Sequence, residues 1–149
     1  MNFPDINVVF SFCVPGHIFE NRSRNLLLSG KGFIFSDRGL NVLNLVLNRF
    51  LEGLARDLID IIIARKEEVK EILEILEVVN DEFHKNIMQR ILIDVGIRDL
   101  EDIEILSDAI WIKERKNYVE ITFWTYDEEH ILPKRQLLEM KFNIVVRRP

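Results

Sequence analysis

Residues 40–64 read LNVLNLVLNRFLEGLARDLIDIIIA, and 16 of these 25 residues are apolar. As one helix the stretch spans about 37 Å, the diameter of a small domain. Any fold open to this chain must bury it. At 100° per residue, Leu40, Leu43, Leu47, Phe50, Leu51, Leu54, Leu58, Ile61 and Ile62 share one wide face. Leu45, Ile59 and Ile63 fall on the opposite side, among Asn41, Asn48, Glu52, Arg56 and Asp60. One core needs only the first face. The leftover residues therefore predict a second neighbour for this helix, with another copy of the chain the first candidate.

Around that helix the pattern reads as sheet at both ends. Ile6 to Phe12 alternates and predicts a strand closed by Pro15-Gly16. Leu26–Leu28 and Phe33–Phe35, joined by Ser29-Gly30-Lys31-Gly32, predict a hairpin. That loop precedes a strand rather than a helix and lacks the P-loop spacing, so it is a turn and not a phosphate cradle. Ser36-Asp37 offers an N-cap to the long helix, and Arg65-Lys66-Glu67-Glu68 a charged break. Further helices follow at 67–79 and from Asn80-Asp81-Glu82 to Gly96, with one more helical turn at 99–103. Ala109–Glu114, Tyr118–Tyr126 and Phe142–Val146 predict strands, with Lys134–Met140 a short connection after Pro133. The expected fold is α+β: an N-terminal β hairpin region, a central segment of two or three helices, and a C-terminal antiparallel sheet, all in one domain over 1–149.

Composition narrows the classes. The opening MNFPDINVVFSF has no basic n-region, so no secretory signal is expected. The longest uncharged run of the central stretch, residues 39–48, is half a bilayer span, and no membrane association is expected. The one cysteine, Cys13, excludes an intrachain disulfide and fits a reducing, cytoplasmic setting. Twenty Ile against 3 Ala and 2 Gln gives a thermophile-like composition. The net charge is −5, and residues 40–104 hold 15 acidic against 8 basic side chains, which argues against a broad phosphate-neutralising surface.

Four constellations could carry chemistry. Cys13 and His17 share a turn at C-x₃-H spacing and could supply two metal ligands, but no second cysteine completes a zinc set, and His84 and His130 stand isolated in sequence. Asp108 with Glu114-Arg115-Lys116 fits the letters of the PD-(D/E)xK nucleases, whose carboxylates hold Mg²⁺ and whose Lys orients the attacking water. The chain departs from that pattern: Asp108 lies only six residues upstream, no Pro precedes it, and Lys116 falls in a turn. It is not assigned to that family. Tyr118, Trp124 and Tyr126 share one face of the expected strand, where aromatics stack on bases or anchor a partner. Arg22, Arg24, Lys31 and Arg38 form a basic group that reads as a solvated loop.

The surplus apolar surface favours a non-enzymatic interaction or regulatory protein, homodimeric through helix 40–64 or the aromatic sheet face, without cofactor or metal. A homo-oligomer or another protein is the expected partner, with nucleic acid less favoured. The alternative is a small nucleic-acid-binding protein or metal-dependent nuclease using Asp108, Glu114 and Lys116.

Overall fold

The computed structural model describes residues 1–149. Five short strands form one sheet: β1 (Asn2–Pro4), β2 (Phe33–Ser36), β3 (Leu73–Leu76), β4 (Ile121–Trp124) and β5 (Ile144–Arg147), in the order β3-β2-β1-β4-β5. Every neighbouring pair is parallel. Parallel strands need crossovers, and here helices supply them: α1 (Ile6–Cys13), α2 (Glu20–Leu27), α3 (Asp37–Leu51), α4 (Arg56–Ile72), α5 (Glu82–Arg90), α6 (Leu100–Arg115) and α7 (Arg135–Phe142). All four residues of β2 are buried, so helices cover both faces of the sheet there. Phe3 of β1 packs on Phe35 (ring centroids 5.5 Å apart) and on Phe123 (5.8 Å), tying three adjacent strands together.

This α/β architecture replaces the expected α+β fold with its C-terminal antiparallel sheet. Residues 6–12 form helix α1, because Asp5 ends β1 and its Oδ1 accepts from the Ile6 amide (2.7 Å), starting the helix. The expected hairpin at 26–35 is the end of α2 followed by β2, and β2 pairs with β1 and β3. The stretch 40–64 is two helices. Gly53 (φ +79°) turns the chain between Leu51 and Arg56, and α4 then runs straight through the charged residues 65–68 to Ile72. Residues 73–76, read as helix, are strand β3. Ala109–Glu114, read as strand, lies inside α6, where Ile103 and every residue from Ile105 to Lys113 are buried. A helix buried on all sides shows no amphipathic period, which is why Ile-rich α6 resembled a strand. Strand β4 is confined to 121–124, and Val119 is exposed.

Some local signals do sit where the sequence put them. Ser36 Oγ accepts from the Gly39 amide (3.0 Å) at the head of α3, Asp81 caps α5 (2.8 Å to the His84 amide), and Gly96 (φ +82°) closes the helical run 82–95. Gly39 is also a steric requirement. A Cβ there would lie 2.8 Å from Phe35 Cζ, 2.9 Å from Ser36 Oγ and 3.1 Å from Ile105 Cδ1. Gly39→Ala is expected to destabilise by about 1–3 kcal/mol despite the better helix propensity of Ala, read as a lower urea midpoint at unchanged m. No helix is long and apolar enough to cross a membrane.

Candidate metal centre

The chain builds outward from β1 through β2 to β3, then returns to the other side of β1 for β4 and β5. The direction of growth reverses between β1 and β4. At such a switch point the loops leaving the carboxyl ends of the strands diverge and open a crevice. Asp5 leaves β1 at this point, and Thr125-Tyr126-Asp127 leaves β4.

These two segments are laced together. Asp5 Oδ2 accepts from Thr125 Oγ1 (2.7 Å) and from Asn7 Nδ2 (3.1 Å). Asn7 Oδ1 accepts from the Tyr126 amide (3.3 Å), and Thr125 Oγ1 from the Asp127 amide (3.0 Å). Asp127 Oδ1 in turn accepts from the amides of Glu129 (3.0 Å) and His130 (2.8 Å), which fixes the following loop. The third acid comes from α6. Asp99 caps that helix through the Asp102 amide (3.1 Å), and Asp102 lies one turn in with its Oδ2 2.9 Å from His130 Nδ1. The same nitrogen is 3.6 Å from Asp127 Oδ2. Asp5, Asn7, Glu101 and Asp102 line a cleft of about 260 Å³ whose apolar wall includes Phe10, Val42, Val46 and Ile105.

Burial first, and like charge second, set the electrostatics. Burial pushes Asp5 up to about 6, against the hydrogen bonds from Thr125, Ile6 and Asn7, with the Asp127 charge adding to the rise. Burial and then the charges of Asp127, Asp99 and Asp5 push Asp102 up to about 7. At His130, desolvation favours the neutral ring, but the Asp102 hydrogen bond and the charges of Asp127, Asp102 and Glu129 outweigh it and raise its pKa. Burial is the larger cause for both acids and neighbouring carboxylate charge adds to it, so a proton or a metal cation relieves the ionised cluster. The acids come from three separate elements, and the ligand atoms of Asp99, Asp102 and His130 lie within 4.8 Å of one another, a donor set that fits a divalent cation.

The residues singled out from the sequence lie elsewhere. Asp108 is buried in α6, ion-paired with Arg38 of α3 and within 2.8 Å of His84 Nε2 of α5. Glu114 is exposed near the end of α6, 3.1 Å from Lys113 Nζ, and Lys116 is the exposed C-cap, so the structure does not bring Asp108, Glu114 and Lys116 together at one centre. Removing Asp108 leaves the Arg38 guanidinium without its carboxylate. Asp108→Ala is expected to cost about 3 kcal/mol in denaturant unfolding, the low end for a broken buried pair because Arg38 is one-third exposed. Divalent-cation binding should survive.

Cys13 is buried and desolvation pushes its thiol up to about 12, while His17 Nδ1 accepts from the Phe19 amide (3.0 Å), leaving neither group poised as a ligand. Tyr126 is buried, stacked on Phe19 at 4.0 Å and bonded through its hydroxyl to Ser23 Oγ (2.8 Å). Trp124 is half-buried and donates to Asn2 Oδ1 (2.9 Å), and Tyr118 is half-buried against the core. These rings do not form one open aromatic face. Leu45 and Ile63 are exposed and Ile59 half-buried, on α3 and α4. Asp5, Asp102, Asp127 and His130 went unread because they are scattered over 125 positions of sequence. The available signal was Asp5-x-Asn7 and Thr125-x-Asp127, each just after a short apolar run.

No protein-family model matches the chain, and no curated protein matches it. Solved structures do. VapBC2 from Rickettsia felis, bound to a DNA fragment from its promoter, superposes with a TM-score of 0.64 at 14% identity, over 99% of this chain and 98% of that one. VapC20 from Mycobacterium tuberculosis, a sarcin-ricin loop cleaving toxin, superposes with a TM-score of 0.57 at 10% identity, over 81% and 87%. At such identities the likeness is one of fold, an α/β chain with one five-stranded parallel sheet. The match overturns the expected non-enzymatic reading and agrees better with its alternative, a metal-dependent nuclease.

Proposed function

We propose that this chain is a metal-dependent ribonuclease whose cation is held by Asp5, Asp102 and Asp127. The observation that carries the reading is that Asp5 and Asp102 line one cleft beside the switch point between β1 and β4 while Asp102 and Asp127 flank the His130 ring, with Asp5 and Asp102 both raised by burial first and by the Asp127 charge in addition. The fold likeness to a sarcin-ricin loop cleaving toxin supports RNA as the substrate. A divalent cation held by these carboxylates would supply Lewis-acid polarisation of a phosphodiester oxygen and a more acidic bound water.

The chain's own residues do the positioning. Thr125 and Asn7 clamp the Asp5 carboxylate from two sides, and the amides of 129 and 130 clamp Asp127, so both acids are preorganised. Beyond His130 a second cleft of about 260 Å³ is lined by Arg98 and Lys134 together with Asp99 and Glu129. Farther along, Arg135 and Arg148 line an open groove of about 520 Å³ together with Glu128, the ion-pair partner of Arg148. These cations supply a local path for a phosphate backbone on a chain whose net charge is −5. VapBC2 was crystallised with DNA, so a duplex DNA control belongs beside RNA. Purified protein is expected to cut structured RNA with Mg²⁺ or Mn²⁺ and to stop on addition of EDTA. Absence of cleavage across a panel of structured RNAs with either metal would sink the proposal.

A further inference from the structure

We propose that His130, with Asp99, extends the carboxylate centre into a mixed nitrogen–oxygen site that selects a first-row transition cation over Mg²⁺. The proposal rests on the metal-dependent reading above and names the class of metal that reading leaves open.

The geometry is specific. The ligand atoms of Asp99, Asp102 and His130 lie within 4.8 Å of one another, a spread that one ion can bridge after small side-chain rotations. His130 Nδ1 points between two carboxylates, 2.9 Å from Asp102 and 3.6 Å from Asp127. The loop holds it there, because Asp127 Oδ1 takes the His130 amide as well as that of Glu129. Asp99 uses Oδ1 to cap α6, and its other oxygen is left for a ligand role. The ring lines the Arg98 and Lys134 cleft, and the Asp102 it is bonded to lines the neighbouring cleft with Asp5.

Ligand chemistry then decides the metal. Mg²⁺ is a hard ion that keeps oxygen ligands and several waters, and it gains little from an imidazole. Mn²⁺, and more strongly Co²⁺ and Zn²⁺, accept imidazole nitrogen beside carboxylates. A histidine serving only as a surface counter-ion would leave the order of metal affinities unchanged. A histidine that ligates would set it.

Co²⁺ and Mg²⁺ binding are measured by calorimetry on the full chain and on His130→Ala and Asp102→Asn, with the visible Co²⁺ spectrum as a second readout. Half-exposed His130 can be truncated without opening the core. The expected result is tighter binding of Co²⁺ than of Mg²⁺ by the wild type. His130→Ala should lower Co²⁺ affinity about tenfold or more, shift the spectrum, and change Mg²⁺ affinity by less than about threefold. Equal effects on both metals, or none, overturn the role of His130. The nuclease reading still stands in that case if Asp102→Asn abolishes Mg²⁺ binding. If Asp102→Asn binds both metals as the wild type does, both proposals fall together.

Discussion

Asp102→Asn should lose RNA cleavage and, at pH 7.5, at least about 100-fold in divalent-cation affinity, the upper range seen when even an outer partner of a metal site is removed. The same change should raise the thermal stability of the metal-free protein. Asp102 sits among Asp127, Asp99 and Asp5, and its charge is the one most opposed by burial and neighbours. An amide of the same shape removes that repulsion and can still accept a hydrogen bond from His130 through its oxygen. Loss of function with gain of stability is the mark of a site strained for a ligand. A purely structural Asp102 would show the opposite: Asn would lower the melting temperature and leave metal affinity unchanged.

Metal-free protein should lose stability as the pH rises from about 4 to about 7, and divalent cations should restore it at the neutral end. The direction follows from linkage. Asp5 is raised in the fold from 3.8 to about 6, so between these values the folded chain holds a proton that the unfolded chain has released. The stabilisation is complete below the unfolded value and is lost as pH passes through the folded one. For buried Asp5 the shift corresponds to roughly 3 kcal/mol, and Asp102 acts in the same direction up to about pH 7. For a chain of this length that is a fall of about 6–12 °C in melting temperature. Saturating Mn²⁺ should raise the melting temperature clearly at pH 7.5 and little at pH 5, where protons compete for the same oxygens. A metal-free protein whose stability is flat over this range would contradict the electrostatics described for Asp5.

How far the sequence could reveal this follows from how each element is built. Capping is local, so Ser36, Asp81 and Gly96 were readable from their neighbours alone. The sheet was not. Its strands are three or four residues long and covered by helices, too short for a period of two to register. Helix α6 failed for the converse reason, since its run of buried isoleucines hides the helical period and mimics β propensity. The apolar stretch 40–64 is two helices and not one, because a glycine with positive φ splits it, and Val42 and Val46 form part of a wall of the acidic cleft. The site itself is a product of topology. Asp5 and Asp127 become neighbours only because β1 and β4 are adjacent in the sheet, a pairing between residues about 120 apart that no local pattern encodes. His130 looked isolated for the same reason.

The central claim is that Asp5, Asp102 and Asp127 hold a divalent cation. Anomalous diffraction from crystals soaked in Mn²⁺ at neutral pH tests it most directly. A single strong peak within coordination distance of all three carboxylates is the predicted result. No peak there at millimolar Mn²⁺, or an ion held only elsewhere, such as at Glu114, would contradict the account.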